Sequence, residues 1–440
     1  QDSSSAASDV YKRQTLNFSP SPPFRDLGSL CAFGVMYAML MTVTLLPAIA
    51  VKFIRSAKPV TRKDKTLKRA SHWIIQHQSM ALGIAAAATV ICLAFIPQNE
   101  IDDDPARYFK SHNPYRMAVD FSQTSLPGIN DINFTLDCGA PDCIYQPEFL
   151  TGADKFASWL RGQNNVETVI SYVEVIKKIN ANFHDDKADQ FKLPDDSAQI
   201  AQYNLLYELS LPYGLDLNTL TSMDKSAIKI AAFVRQTSTG NFLELEAAAS
   251  DWLAQELNMS APRGSSIRMM FSSLGEENIR GMIWGALFAL LGVTLTILAS
   301  LRSLRYGLIS LVANSFPALI AIGIWGMTIA HVNMAVAAVF SITLGIIVDD
   351  SVHFISKYRY ARTQKNCTPA DAIDYTMRNV GGALFVTTVV LAIGFGLLCF
   401  SDFNLNAYLG GLTALTVVVA LVFDYLVLPP LLIKFDKQNA

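Results

Sequence analysis

The sequence predicts a polytopic α-helical membrane protein carrying an inserted α+β domain made of β-α-β units. Three observations carry that expectation. Of its 440 residues, 51% are hydrophobic and 16% charged, with a mean hydropathy of +0.29, whereas an average soluble chain is about one quarter charged. The apolar excess is gathered into runs of roughly 18 to 25 residues, long enough to cross about 30 Å of hydrocarbon. Between two groups of such runs lies a long polar stretch, 98–280, of ordinary soluble composition. A single soluble enzyme is excluded. The net charge of −2 and pI near 6.3 leave no basic footprint for nucleic acid, and six cysteines do not make a disulfide scaffold.

Residues 1–14, containing Ser4-Ser5-Ala6-Ala7-Ser8-Asp9-Val10-Tyr11-Lys12-Arg13-Gln14, read as an adapter-like scar rather than a folded segment. The natural start of the chain is therefore expected upstream. Apolar runs follow at 27–51, 79–97, 281–300, 306–329, 333–356, 380–400 and 406–433, each bounded by charge, proline or polar turn residues. Their short loops segregate by charge. One side carries Lys52, Arg55, Lys58, Arg62, Lys63, Lys65, Lys68 and Arg69, then Arg302 and Arg305, then Lys357, Arg359, Arg362, Lys365 and Arg378, then Lys434 and Lys437. The loops near His331 and Asp402 carry no Lys or Arg. Basic loops stay in the cytoplasm, so seven alternating spans put 98–280 outside, in the periplasm of a diderm bacterium, and the tail 436–440 inside. The expected order is a last helix of an earlier half (15–53), a basic linker (54–78), a span (79–97), the exported domain (98–280) and a five-helix bundle (281–435).

The exported domain holds 26 acidic against 15 basic residues, net −11, which makes a solvated surface. Ile132–Asp137 and Ala227–Arg235 read as strands. Gly152–Arg161 and Asn241–Leu257 read as amphipathic helices, followed by the strand-like Thr168–Val173 and Ser266–Phe271. Two β-α-β units are the economical reading. Cys138 and Cys143 flank a Gly/Pro turn in an oxidising compartment, which favours a small-loop disulfide over a metal site. Cys31, Cys92 and Cys399 fall in spans and Cys367 in a basic loop, where they read as packing residues.

The chain also repeats itself. Laid without a gap, Phe18–Phe53 matches Phe400–Phe435 at 12 of 36 positions, among them Phe18/Phe400, Ser19/Ser401, Gly28/Gly410, Pro47/Pro429, Lys52/Lys434 and Phe53/Phe435. The first and last helices are thus expected to close two corresponding halves, the earlier one cut to its final helix.

The fifth span ends Gly345-Ile346-Ile347-Val348-Asp349-Asp350-Ser351-Val352-His353-Phe354. Two carboxylates beside an apolar run must face a bundle interior or water, and an ionisable residue at that depth is a functional hypothesis by default. Proton uptake and release is the chemistry they offer. His353 lies four residues beyond Asp349 and three beyond Asp350, one helical turn away, and is placed to relay a proton. The competing reading is a solvated helix end, since Lys357 and Arg359 follow two turns on. Thr387 and Thr388 on the next span could hydrogen-bond across to the acids, though threonine is also common packing glue. Asp424, whose repeat counterpart is Thr42, reads as a packing residue near the basic side. Asn314 with Pro317 marks a kink.

Gly345-x-x-x-Asp349-Asp350 with Ser351-Val352-His353-Phe354, Gly381-Gly382, Gly394-Phe395-Gly396, Phe400-Ser401 and Leu428-Pro429 together resemble the RND superfamily. The nearest resemblance is to its bacterial MMPL-type exporter branch, related to Patched and other sterol-sensing-domain proteins, and it covers essentially all of 15–440. It implies a twelve-helix, pseudo-two-fold, proton-driven transporter whose fourth helix in each half carries the relay acids, here Asp349 and Asp350, and whose exported domains conduct hydrophobic or lipid-like substrates. In the drug-efflux branch the acid pair sits in the first half and a lysine answers it in the second. This chain has its acids in the second half and no lysine within a span, which argues against that branch.

The function expected is proton-driven export of an amphiphile from the bacterial inner membrane, with the proton gradient in place of any cofactor and Asp349, Asp350, His353 and Thr387 as the relay. The partners implied are the lipid bilayer and a lipid-like substrate, with a homo-oligomer or periplasmic protein left open. The rival readings are a lipid-sensing scaffold without transport and a protein-export accessory. No nucleotide loop, nucleophile elbow or metal-spaced His/Cys set supports an enzyme.

Overall fold

A computed structural model describes residues 22–53, 65–126, 130–212, 217–235, 237–259, 263–301 and 303–436. The adapter-like stretch, 54–64 of the basic linker and 437–440 of the tail lie outside them. Two compact units emerge, one from Asp104–Leu274 and one from the segments on either side.

In chain order the first elements are α1 (Pro22–Phe53), α2 (Lys65–Gln76), α3 (Gln78–Phe95) and the two-residue β1 (Glu100–Ile101). The inserted unit contributes α4 (Pro114–Ser125), β2 (Asn130–Asp137), α5 (Pro147–Arg161), β3 (Val166–Ser171), α6 (Tyr172–Phe183), α7 (Ser197–Ser210), β4 (Ala227–Val234) and α8 (Thr239–Glu256). Then come α9 (Ile267–Leu301), α10 (Leu304–Thr328), β5 (His331–Val332), α11 (Met334–Gln364), α12 (Pro369–Thr376), α13 (Gly382–Gly396), α14 (Asn404–Leu426) and α15 (Leu428–Phe435). Among the described residues, seven helical segments are long and apolar enough to cross a membrane, and each contains or overlaps one of the expected runs.

In the inserted unit β2, β4 and β3 form one antiparallel sheet in that order, with Phe134 opposite Ile230 and Val169 opposite Ala232. β2 alternates, burying Ile132, Phe134 and Leu136 while exposing Thr135 and Asp137, as a half-covered strand should. β4, bonded on both edges, is buried almost throughout. Because both pairings are antiparallel, β2 and β3 run the same way with β4 between them, a split β-α-β arrangement. α5 starts with Pro147 in its first turn, α7 is capped by Asp196 on the Ala198 N–H (3.1 Å) and α8 by Ser238. Phe134 meets Phe156 edge to face, with ring centroids 5.3 Å apart, and Phe156 meets Trp252 at a tilt with centroids 5.4 Å apart, where α5 and α8 cover the sheet.

One expected strand is absent. Ser266–Phe271 opens α9 instead, and the second β-α-β unit closes on a single antiparallel bridge between Asn133 and Ser265. The Ser266 hydroxyl accepts the Met269 N–H at 3.0 Å, capping the helix and ending extended backbone. Cys138 and Cys143 are joined by a disulfide with their Cα atoms 6.0 Å apart, around a turn in which Gly139 adopts φ 85°.

In the other unit α10, α11 and α14 form the interior, while α3, α9 and α13 expose rows such as Ile84 and Val90, Leu287 and Leu291, and Phe385 and Ile393. Backbones approach closely where side chains vanish: a Cβ on Gly323 or Gly326 of α10 would overlap the carbonyls of Cys92 and Phe95 on α3. The described parts of the two repeat copies are helical over corresponding positions, Pro22–Phe53 and Asn404–Phe435. They differ at the end. The first is one unbroken helix containing Pro47, whereas the second breaks at Val427 before the doubled Pro429-Pro430, because two successive residues cannot donate to the helix.

Candidate functional site: intramembrane acids on the fifth and seventh spans

Asn333 accepts the Val336 N–H at 3.1 Å and starts α11, which continues without interruption through Gly345, Asp349, Asp350 and His353. The helix divides the acid pair. Asp349 and His353 share an exposed stripe, their side chains 43% and 53% accessible, with His353 Nε2 3.6 Å from Asp349 Oδ1. That separation is ion-pair range and longer than a direct hydrogen bond. Asp350, one residue on, is half-buried and lies within electrostatic reach of Asp424 and Tyr425 on α14. Gly345 is half-buried one turn before Asp349.

Next to the pair, Ser351 is fully buried and donates its hydroxyl to Asn314 Oδ1 at 2.8 Å, and Asn314 Nδ2 donates to Ser310 Oγ at 3.0 Å. This ladder ties α11 to α10 just ahead of Pro317. It gives Asn314 a partner that sequence reading, which saw only a kink, did not find.

Thr387 does not reach the acids. Its hydroxyl donates to the backbone carbonyls of Ala383 (3.2 Å) and Leu384 (3.0 Å) on its own helix, the usual sink for a threonine hydroxyl in a span. Thr388 is buried, and its hydroxyl has no partner among the described residues. The sixth span opens with a π-helical stretch, Met377–Gly381, whose Gly381 carbonyl accepts the Tyr425 hydroxyl at 2.5 Å. Single π turns of this kind are frequent at functional sites.

Asp424 is where the structure departs furthest from the expectation of peripheral packing. The residue is 1% exposed, and neither carboxylate oxygen has a hydrogen-bond partner among the described residues. The available signal was the repeat itself: Thr42, at the matching position of the first copy, is exposed and bonds the Ala38 carbonyl at 2.8 Å. Among the described residues no group of three or more His, Cys, Asp or Glu side chains is placed to hold a metal.

Helices long and apolar enough to cross a membrane, an inserted split β-α-β unit and an acid pair on one of those helices define a polytopic membrane protein. The MMPL family model matches residues 14–92 and 266–435, and the chain belongs to that family. Its fold is similar to that of the hedgehog release protein Disp from the water bear Hypsibius dujardini, with a TM-score of 0.66 and 12% identity over 98% of this chain and 57% of that one. It is also similar to SecDF, a translocon-associated membrane protein of Thermus thermophilus, with a TM-score of 0.51 and 13% identity over 99% of this chain and 48% of that one. Protein MJ1562 of Methanocaldococcus jannaschii, named for a membrane location, is 28% identical over 127 residues, 28% of this chain and 32% of that protein. The chain thus spans about half the length of the solved structures it matches and less of that archaeal relative.

Proposed function

We propose that this chain forms part of a proton-driven transporter that moves a hydrophobic or lipid-like substrate, with Asp349 and Asp350 as the titrating pair and His353 as the relay between Asp349 and water. The observation that carries the reading is the split of the pair on α11. One acid lies on an exposed stripe beside a histidine, and the other is half-buried within electrostatic reach of a further acid. An exposed acid and histidine within a span must meet water or another protein surface, since lipid does not solvate them, so the stripe is read as facing a second set of helices. Proton uptake at the pair removes buried charge and lets the helices around it repack, which is how a proton gradient drives a membrane conformational change.

The segment 104–274 is read as extracytoplasmic and the basic loops as cytoplasmic, in a bacterial inner membrane. Within that segment α6 and α7 frame an open groove of about 650 Å³ lined by Ile179, Phe183, Leu206 and Tyr207 with Lys178 and Glu174 at its edge, the amphipathic lining that suits an amphiphile. The test is proton movement into liposomes holding the full-length protein. Asp349→Asn and Asp350→Asn should each abolish flux, and unchanged flux in both variants would overturn the reading. A lipid sensor would bind lipid with no flux in the unaltered protein.

A further inference from the structure

Burying an ionised carboxylate without a donor costs several kcal/mol, and such a group takes up a proton instead. Asp424 is in that position, with both oxygens unpartnered among the described residues and the residue 1% exposed. Thr343 and Thr416 of the same bundle bond the backbone carbonyls of Val339 (2.7 Å) and Leu412 (2.6 Å), whereas the hydroxyls of Thr388 and Thr413 have no partner among the described residues. Asp424 has none among the described residues, and Asp350 acts on it electrostatically. We propose that Asp424 holds a proton in this conformation and exchanges it with Asp350 across the contact between α14 and α11, so that the ion path contains three acids rather than two.

The exchange balances simply. The Asp424 O–H gives its proton to the Asp350 carboxylate, leaving Asp424 ionised and Asp350 neutral, with one negative charge in the pair before and after. The inference rests on the transport reading and names a further residue in it.

The elements packed around Asp424 leave few other candidates for that proton. α11 brings Asp349, Asp350 and His353, of which Asp349 and His353 lie on the exposed stripe. α13 brings no titratable side chain, and Arg378 in the π-helical stretch is paired with Asp374. Cys92, in the last turn of α3, is the titratable group of that helix, and α10 carries its only ones, Arg305 and Tyr306, in its first turn. Tyr425 spends its hydroxyl on Gly381.

The backbone near Asp424 is also built to yield. Pro429 and Pro430 cannot donate to the carbonyls of Tyr425 and Leu426, and the helix is broken at Val427, three residues from the acid. Discontinuous helices of this kind accompany ion sites in other transporters. The first repeat copy has Thr42 and an unbroken helix, so neither the acid nor the break is required to form this helix.

The test uses the full-length protein in liposomes, with two readouts. Infrared spectra at about pH 8, far above the ordinary aspartic value, should show a protonated carboxyl band that Asp424→Asn removes and Asp350→Asn shifts. Proton flux should fall at least about tenfold in Asp424→Asn, as expected when a proton-transfer group is lost, and be retained in Asp424→Glu. Loss of flux in Asp350→Asn with full flux in Asp424→Asn would overturn this inference and leave the transport reading standing. Full flux in both would overturn the two together. Absence of the carboxyl band in the unaltered protein, or sodium uptake that depends on both acids, would overturn the proton assignment. Should Asp424→Asn fail to assemble, the pH titration of the unaltered protein's band and the Glu variant decide the matter.

Discussion

Replacing Ser351 by alanine removes one hydroxyl from a ladder that joins the acid-bearing helix to its neighbour. Ser351 and Asn314 are 0% and 1% exposed, and their bond at 2.8 Å is better placed than the alternative from Ser351 to Val348 at 3.2 Å. Ser351→Ala leaves Asn314 Oδ1 buried and unpaired, which should cost about 1 to 2 kcal/mol, the upper part of the range for hydrogen bonds between membrane helices. Asn314→Leu removes both rungs at similar volume but lets Ser351 fall back on Val348. The double variant should then lose less than the sum of the two, by roughly 0.6 to 1.7 kcal/mol. Ser315→Ala is the control, because Ser315 only bonds Leu311 on its own helix (2.7 Å), and it should change stability by no more than about 0.5 kcal/mol. The assay is reversible unfolding of the purified protein in mixed micelles titrated with dodecyl sulfate. Additivity within about 0.3 kcal/mol, the scatter expected of independent sites, would refute the coupling of α10 to α11 through this pair.

Three further outcomes are expected. Cys138→Ser opens a loop of sequence separation 5 and should destabilise the inserted unit by about 2 kcal/mol on the chain-entropy scale, read by denaturant unfolding with and without reductant; no difference would mean the bridge adds nothing to stability. Gly326→Ala should cost about 1 to 3 kcal/mol through overpacking against the Phe95 carbonyl, whereas Gly83→Ala, which meets open space, should be neutral or gain about 0.5 to 1 kcal/mol in helix propensity; thermal unfolding of the two variants compares them directly. Asp224 is held below the ordinary carboxylate value, first by the Ser222 hydroxyl and then by Ser226. A depressed folded value means that its contribution is complete above the unfolded value and is lost as pH falls through the folded one. Carboxyl NMR should therefore show Asp224 titrating low, and Ser222→Ala should move it back toward the ordinary value.

Elements with strong local signals were legible in advance. The spans followed from apolar length, and β2, β4, α5 and α8 from period and turn residues, each within a few residues of its observed bounds. Ser266–Phe271 misled because a short apolar run has no period that separates strand from helix, and the deciding signal was the Ser266 cap. Asp349, Asp350 and His353 were visible because charge inside an apolar run is conspicuous. Which acid turned outward was not, since that depends on what packs against each face of α11. Asp424 was underread for the same reason: a residue near the end of an apolar run looks peripheral until the helices beside it bury both its oxygens.

The sequence by itself determined the class of this protein, the number of its spans, the inserted sheet and the repeat, because each rests on hydrophobic length, alternation or identity along the chain. Tertiary structure alone decided that Asp350 comes within electrostatic reach of Asp424, that Asn314 holds Ser351, and that Thr387 turns to its own backbone. Those facts depend on contacts between helices far apart in sequence, where burial and the pairing of polar atoms are set by neighbours that no local pattern encodes.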